Sequence, residues 1–159
     1  MQIPSLSEIG FAPSALEIPP KTISLATIEK YDETRDIPSI AGTTRLSIHL
    51  RFGTLSIRKL VDIAQRTNEK WLNELIWRDF YMYIAHHFPH IHEGKAFRKE
   101  YDFIEWRNNE SEFDKWCKGK TGFPIVDAGM RELNATGFMH NRVRMITASF
   151  LVKDLLIDW

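Results

Sequence analysis

The sequence predicts an all-α protein, and three observations carry that prediction. Apolar residues recur at helical spacing across Glu69–His87. Pro124 and Gly137 stand where a helix favours its first turn and its end. No segment alternates apolar and polar residues convincingly, as a half-buried strand would. We therefore expect helices joined by loops, in one domain within a chain of 159 residues.

The first 30 residues are predicted to be an interdomain connector, and residues 31–159 the helical domain. Proline lacks an N–H group and clashes with the preceding helical turn. Four prolines therefore interrupt any helix in the connector: Pro4, Pro13, Pro19 and Pro20. Residues 31–44 are expected to form an ordered loop, because Pro38 and Gly42 are typical of breaks.

Two helices are predicted in the middle of the chain. Thr54 or Ser56 can cap the first, a short helix with the apolar residues Leu60, Val61 and Ala64. The second spans Glu69–His87 and should turn one apolar row toward the core: Leu72, Leu75, Ile76 and Tyr83.

Two further helices are predicted in the last third. Residues 89–99 are expected to form a loop, followed by an acidic and aromatic stretch up to Lys120. One helix then starts at Pro124, and a final helix runs over residues 139–159. The final helix is still apolar where the chain stops, so we expect a truncated part of a longer protein: Leu155, Leu156 and Ile157 lack a partner.

Composition narrows the function classes. The chain has 21 basic and 21 acidic residues, so any DNA-binding patch must be local. A single cysteine, Cys117, permits no internal disulfide and fits a reducing compartment. Neither a membrane span nor a secretory signal is recognisable, so we expect a cytoplasmic protein that does not associate with membranes. Four histidines lack convincing metal-ligand spacing, so no metal is expected: His86, His87, His90 and His92.

The long helix carries an unusual second row. Trp71, Glu74, Arg78 and Tyr81 follow one another at i, i+3, i+7 and i+10, and Trp77 flanks them. Such side chains can stack on planar rings, which contributes about 1–3 kcal/mol per base, and can hydrogen-bond their edges. A helix packed on both sides, with Glu74 and Arg78 as an i,i+4 pair, explains the row equally well.

Two other segments contain candidate binding residues. Asn141, Arg144 and Met145 share one side of the HNRVRM helix start, with Arg142 beside them, and guanidinium groups suit phosphates or a base edge. A solvated basic turn is the simpler interpretation of that segment. The GTTRLS loop, residues 42–47, has hydroxyls and amides that can cradle a phosphate. On the residues alone, a capping turn is favoured for it.

Five motifs together resemble the photolyase/cryptochrome family and cover nearly all of residues 31–159: GTTRLS, LRFGTLSIRKL, WLNELIWRDFY, GKTGFPIVDAGMRELNATGFMHNRVRM and ITASFLVKDLLIDW. They are most similar to the class I cyclobutane pyrimidine dimer photolyases. The resemblance implies an all-helical domain that holds FAD and is preceded by an α/β antenna domain. It further implies that light drives an electron from reduced flavin to a flipped-out dimer in DNA, which splits the cyclobutane ring.

The resemblance also implies residue roles. FAD contacts fall on nine positions: Tyr31, Thr43, Thr44, Arg45, Leu46, Ser47, Trp71, Arg78 and Arg144. Contacts with the dimer, where the chemistry occurs, fall on four: Glu74, Trp77, Asn141 and Met145. DNA contacts are expected at Arg35, Glu74, Trp77, Arg78, Tyr81, Asn141 and Arg142.

Two tryptophans resemble members of the family's photoreduction chain, Trp159 in the middle and Trp106 at the surface, whereas Trp116 is expected to be structural. The resemblance implies that the antenna domain, with its chromophore site, and the segment that completes the flavin pocket lie outside these 159 residues. We therefore expect the isolated chain to bind FAD poorly and to repair nothing, and the full-length enzyme to be a monomer.

Three alternatives remain open. A cryptochrome-type blue-light receptor and a (6-4) photolyase share the fold, and a helical fragment without any ligand is the structural alternative. Glu74 with Trp77, and Asn141 with Met145, favour a dimer-repair enzyme. His140 matches the motif of dimer photolyases rather than a histidine-centred (6-4) site.

Overall fold

The computed structural model describes residues 3–12, 15 and 17–159, so the predicted helix breaker Pro13 lies outside it. The described residues form eight α-helices and no strand, which confirms the all-α prediction. The helices are α1 Leu25–Glu29, α2 Tyr31–Thr34, α3 Ser47–Arg51, α4 Ile57–Thr67, α5 Glu69–His87, α6 Glu110–Cys117, α7 Pro124–Thr136 and α8 Asn141–Ser149.

Local capping explains where the longer helices begin. The Ser56 hydroxyl accepts a hydrogen bond from the Lys59 amide, so Ser56 rather than Thr54 caps α4. Asn68 caps α5 through the Trp71 amide at 3.1 Å. Pro124 opens α7 and Gly137 ends it at a φ of 69°, a left-handed conformation that glycine adopts without strain. The predicted bounds of α5 and the two predicted ends of α7 are confirmed.

Several short elements differ from the sequence prediction. The expected loop over residues 89–99 contains a 3₁₀ helix, Pro89–Glu93, and the stretch up to Lys120 contains a second, Lys99–Phe103, as well as α6. Helices α1 and α2 lie in segments predicted to be connector and loop. Each of these elements has eight residues or fewer, too few for a hydrophobic period to stand out.

The predicted final helix over residues 139–159 was wrong at its C-terminal end. The α-helix stops at Ser149, and a single π-helical turn, Phe150–Asp154, follows it. The carbonyl of Leu156, a residue with a φ of 50°, then accepts hydrogen bonds from the amides of Arg107 and Asn108 at 2.8 and 3.3 Å. Beyond Asp154 the chain is therefore no longer helical, and these bonds connect it to residues 107 and 108, just before α6.

Two separate apolar clusters form the core. The first joins α1, α2, α4 and α5 through Ile28, Tyr31, Leu46, Leu60, Ala64, Trp71 and Leu75. The second joins α7 and α8 through Met130, Met139 and Val143. Ile28 is fully buried although it lies before residue 30, where the connector was predicted to end. The domain boundary itself stays a prediction.

The core face of α5 differs from the predicted row. Trp71 and Leu75 are buried in its first two turns and Leu72 is partly buried, but Ile76 and Tyr83 are 56% and 62% exposed. The expectation for Ile76 and Tyr83 was therefore wrong. Helix α5 packs against α2 and α4 through its N-terminal half. In its C-terminal half, the apolar spacing therefore does not predict which side chains are buried.

Helices α7 and α8 approach closely at Gly129. A Cβ atom there would overlap Cγ1 of Val143 and lie 3.2 Å from the Thr147 hydroxyl. Only glycine avoids this overlap without a shift of α8. The close approach fixes α8, which begins with the predicted site residues Asn141 and Arg142.

Candidate cofactor and DNA site

One cavity of about 510 Å³ collects most of the predicted site residues. All nine positions predicted to contact FAD line it. Glu74 and Asn141, two of the four predicted dimer contacts, line it as well. Residues distant in the sequence thus converge on one space of a size typical for ligand pockets.

The GTTRLS loop forms one wall. Leu46 is 2% exposed and anchors the loop in the first core cluster, while Thr43, Thr44 and Ser47 line the cavity. Arg45 has a φ of 51°, a strained conformation for a residue with a side chain, and its guanidinium lies 4.3 Å from the centroid of the Phe138 ring. Strain of this kind persists where surrounding contacts hold it, and it often occurs at ligand sites.

Helix α5 forms a second wall. Trp71 and Leu75 supply its apolar part, and Arg78 donates a hydrogen bond to the Leu50 carbonyl at 3.4 Å. Met82, rather than the predicted Tyr81, continues this row. At 3.6 residues per turn, position i+11 returns to within about 20° of Trp71, whereas i+10 points about 80° away.

The expected alternative for the α5 row, an ion pair between Glu74 and Arg78, is not formed. Arg78 pairs with Asp79 at 2.9 Å, and Glu74 pairs with Arg35. Glu74 and Arg78 therefore form ion pairs with other residues and not with each other. Both side chains line the cavity.

The start of α8 forms the third wall. His140 caps this helix through Nδ1, which accepts from the Arg142 amide at 3.2 Å. Asn141 and Arg144 line the cavity, and Arg144 donates to the Met139 carbonyl at 3.3 Å. The capped start of α8 thus places the Arg144 guanidinium and the Asn141 amide at the cavity.

Charged groups beside the cavity form one connected set. Arg35 donates to Glu74 and to Asp36, and Arg142 donates to Asp36. The hydrogen bond from Arg142 holds the pKa of Asp36 below its ordinary value. Burial raises the pKa of Tyr31, and the charge of Glu74 adds to that rise. Asp36 is therefore ionised and Tyr31 protonated at neutral pH.

The structure does not bring every predicted site residue to the cavity. Trp77, Tyr81, Met145, Arg35 and Arg142 are absent from its lining. Trp77 is 52% exposed, and its ring lies 5.7 Å from the ring of Tyr81, inclined by 29°. Met145 is 57% exposed, one turn beyond Asn141. Arg35 is mostly buried beside Glu74, with 14% of its side chain exposed. The other four side chains are exposed, so a larger partner can reach them.

Trp106 and Trp159 lie together, away from the cavity lining. Their ring centroids are 5.1 Å apart, with the planes nearly perpendicular. The bonds from Arg107 and Asn108 to the Leu156 carbonyl hold the two segments in place. Trp116 donates to the Thr147 carbonyl at 3.1 Å, as a residue that holds α6 against α8 would.

Sequence reasoning missed several residues of the site. Six additional side chains line the cavity: Leu50, Arg51, Leu75, Met82, Phe138 and Met139. Helical spacing from Trp71 could have identified Met82, but no pattern indicated that Phe138 would meet Arg45. Asp36 was also missed, because its partner Arg142 is 106 residues away in the chain.

The described residues contain neither a candidate metal site nor a candidate membrane span. Within residues 3–12, 15 and 17–159, no three His, Cys, Asp or Glu side chains are grouped as a metal site would require. In the same described residues, no helix combines the length and the apolar character needed to span a membrane.

The fold and the cavity thus define an all-α domain with a composite ligand site, and comparison with known proteins identifies its family. Residues 71–159 match the family described as the FAD binding domain of DNA photolyase. This match covers more than half of the sequence, and the chain belongs to that family, whose cofactor is FAD.

Individual relatives agree with this assignment. The chain is 46% identical over 144 residues to the deoxyribodipyrimidine photo-lyase of Neurospora crassa, covering 83% of this chain and 23% of that protein. A class III photolyase structure from Agrobacterium tumefaciens superposes with a TM-score of 0.78 at 42% identity, covering 84% of this chain and 29% of the other. A Synechocystis cryptochrome gives a TM-score of 0.73 at 37% identity, covering 84% and 30%. The chain therefore spans about a quarter to a third of the length of these relatives.

Proposed function

We propose that this chain forms one side of the FAD and DNA site of a photolyase that uses light to split cyclobutane pyrimidine dimers. The observation that carries the proposal is the convergence on one cavity of nine predicted FAD contacts together with Glu74 and Asn141. A chance resemblance in sequence would not gather residues from Tyr31 to Arg144 around a single space. The relatives named as photolyases support the same conclusion.

The chemistry of the cavity fits FAD. The hydroxyls of Thr43, Thr44 and Ser47 suit phosphate and ribityl oxygens, and the Arg144 guanidinium suits a phosphate or a ring edge. Trp71 offers a buried apolar surface for a planar ring. When bound, FAD supplies the light-driven electron donation that breaks the cyclobutane ring.

The residues of the chain itself bind and orient the substrate in this proposal. Glu74, held by Arg35, accepts a hydrogen bond from the edge of a flipped-out base, and Asn141 donates or accepts beside it. Trp77 stacks against the base from the outer side, since its ring is exposed next to Glu74. Trp106 and Trp159 are proposed as two members of a relay of oxidisable indoles, which their ring contact supports.

A cryptochrome-type receptor is the second candidate, because a cryptochrome structure matches the same part of the chain. The two functions differ in whether DNA damage is recognised. A repair enzyme must prefer a dimer over intact thymines, whereas a light receptor needs no such preference. The presence of Glu74 and Asn141 at the cavity favours repair.

Binding to two labelled duplexes, one with a single thymine dimer and one undamaged, distinguishes these functions. We expect tighter binding to the damaged duplex, and we expect Glu74→Gln to reduce that preference about tenfold because a charge-assisted hydrogen bond is lost. Glu69→Gln, on the exposed first turn of the same helix, is the matched control and should leave the preference unchanged. Equal affinity of the wild-type chain for both duplexes would contradict dimer recognition.

A further inference from the structure

Asp36 joins two arginines that come from different parts of the chain. One of its oxygens, Oδ1, accepts from Nε of Arg142 at 2.8 Å and from Nε of Arg35 at 3.3 Å. Asp36 follows α2, whereas Arg142 is the second residue of α8. The hydrogen bond from Arg142 therefore links the segment after α2, a helix of the first apolar cluster, to α8, a helix of the second.

The two arginines are held to different degrees. The Arg35 side chain is 14% exposed, lies 5.3 Å from the Tyr31 ring centroid, and also donates to Glu74. Its guanidinium is therefore fixed on several sides. The Arg142 side chain is 47% exposed and engages Asp36 through Nε alone. In the part of the chain that the structure describes, neither Nη atom of Arg142 has a hydrogen-bond partner.

This arrangement leaves one edge of a guanidinium free while its orientation is set. A guanidinium is a planar fork, so holding Nε fixes the direction of both Nη donors. Two parallel donors match two oxygens of a phosphate. An arginine that is ordered before binding loses less side-chain entropy when the phosphate arrives.

We propose that Asp36 is a positioning residue for DNA binding, which holds Arg142 ready for a backbone phosphate next to the Arg35–Glu74 pair. The inference rests on the proposed function, in which Arg142 contacts DNA. Asp36 touches no ligand itself and acts through Arg142.

The alternative role for Asp36 is to weaken DNA binding. A carboxylate near a phosphate site repels DNA and competes for the arginine, so its removal should tighten binding on electrostatic grounds alone. Positioning predicts the reverse. The sign of the change in affinity therefore decides between the two roles.

The test measures the affinity of the full 159-residue chain for a labelled duplex with one thymine dimer, by fluorescence anisotropy at several salt concentrations. We expect Asp36→Asn to bind about five- to tenfold more weakly at low salt, as the loss of one well-formed contact would give. The slope of log affinity against log salt should fall in magnitude by about 1, because one phosphate contact disappears.

Asp62→Asn is the matched control. It removes the same charge and also breaks an ion pair with an arginine, but on the exposed surface of α4. Its affinity should equal that of the wild type or exceed it slightly. Asp36→Glu keeps the charge and moves the carboxylate, so an intermediate affinity is expected; this variant also serves if Asp36→Asn fails to fold by circular dichroism.

Arg142→Gln separates the inference from the function on which it rests. If Arg142→Gln weakens binding and Asp36→Asn leaves it unchanged or tighter, positioning by Asp36 is wrong and the DNA contact stands. If Arg142→Gln binds as tightly as the wild type, Arg142 does not contact DNA, and the proposed role of Asp36 is then wrong as well. In the Arg142→Gln background, adding Asp36→Asn should cause no further loss.

Discussion

Asp127 is the buried acid that organises the loop before α7. Its carboxylate accepts from the Thr121 amide at 2.7 Å, from the Thr121 hydroxyl at 2.6 Å and from the Gly122 amide at 3.0 Å. The hydrogen bond from the Thr121 hydroxyl lowers the pKa of Asp127 from its ordinary value of 3.8, and the two amide bonds add to that effect. One side chain thereby closes the turn that leads from α6 into α7.

This lowered pKa gives a pH prediction. Because the folded pKa of Asp127 lies below the unfolded one, the stabilisation is present above about pH 4 and is lost as the pH falls through the folded value. Asp127→Asn should lower the midpoint of thermal unfolding clearly at pH 7 and much less at pH 2.5. Asp114→Asn, which breaks an exposed pair with Lys118, should change the midpoint little at either pH. An equal deficit of Asp127→Asn at both pH values would contradict this account.

At the scale of single residues, the sequence predicted which residue types would lie at the site better than it predicted which residues they would contact. The residue types at the cavity were recognised from their motifs, since hydroxyls, arginines and a carboxylate suit a charged ligand regardless of their neighbours. Their partners could not be predicted. Glu74 pairs with Arg35, 39 residues earlier in the chain, rather than with the nearby Arg78, because tertiary packing outweighs an i,i+4 pair worth only about 0.2–0.5 kcal/mol.

At the scale of elements, Asn68 connects α5 to the N-terminal helices. Its Oδ1 caps α5 at the Trp71 amide, while its Nδ2 donates to Asp32 at 2.8 Å and to the Glu29 carbonyl at 3.3 Å. The cap therefore sets both the start of α5 and its position against α1 and α2. Trp71 and Glu74, which line the cavity, follow within the next two turns.

Replacement of this cap tests the element directly. We expect Asn68→Ala to reduce the free energy of unfolding by about 2 kcal/mol, at the upper end for a helix cap, because contacts to two other segments are lost as well. Asn109→Ala removes the cap of α6, a single bond at 3.0 Å, and should cost about 0.5–1 kcal/mol. Urea denaturation of both variants gives the comparison. A smaller loss of unfolding free energy for Asn68→Ala than for Asn109→Ala would show that the hydrogen bonds from Asn68 to Asp32 and Glu29 do not stabilise the fold.

Helix prediction succeeded where elements are long and bounded by clear signals. The apolar period marks α5, and Pro124 with Gly137 marks α7. The final helix was overextended because apolar residues continue past Ser149, although the Leu156 carbonyl bonds to residues 107 and 108 instead. Such a long-range bond leaves no local trace in the sequence.

At the scale of the whole molecule, the cavity is lined by members of both apolar clusters, Trp71 and Leu75 of the first and Met139 of the second. The first cluster supplies the GTTRLS loop and α5, and the second supplies the start of α8. The sequence predicted both sets of residues through the family resemblance, but the physical reason for their convergence is visible only in three dimensions: Arg45 lies over Phe138, and Asp36 binds Arg142. Both contacts join segments about 100 residues apart.

The cavity is proposed to contribute to an FAD site. Equilibrium titration of FAD into the chain, followed by flavin fluorescence, tests this proposal most directly. We predict weak but saturable binding that is lost on desalting, with no dimer repair under blue light, since the cavity is open and ligand sites bury most of a bound molecule. Arg144→Gln should weaken binding about tenfold through the lost charged contact, whereas Arg131→Gln, exposed on α7, should not change it. No saturable binding, or equal affinity in the wild type and Arg144→Gln, would contradict the account.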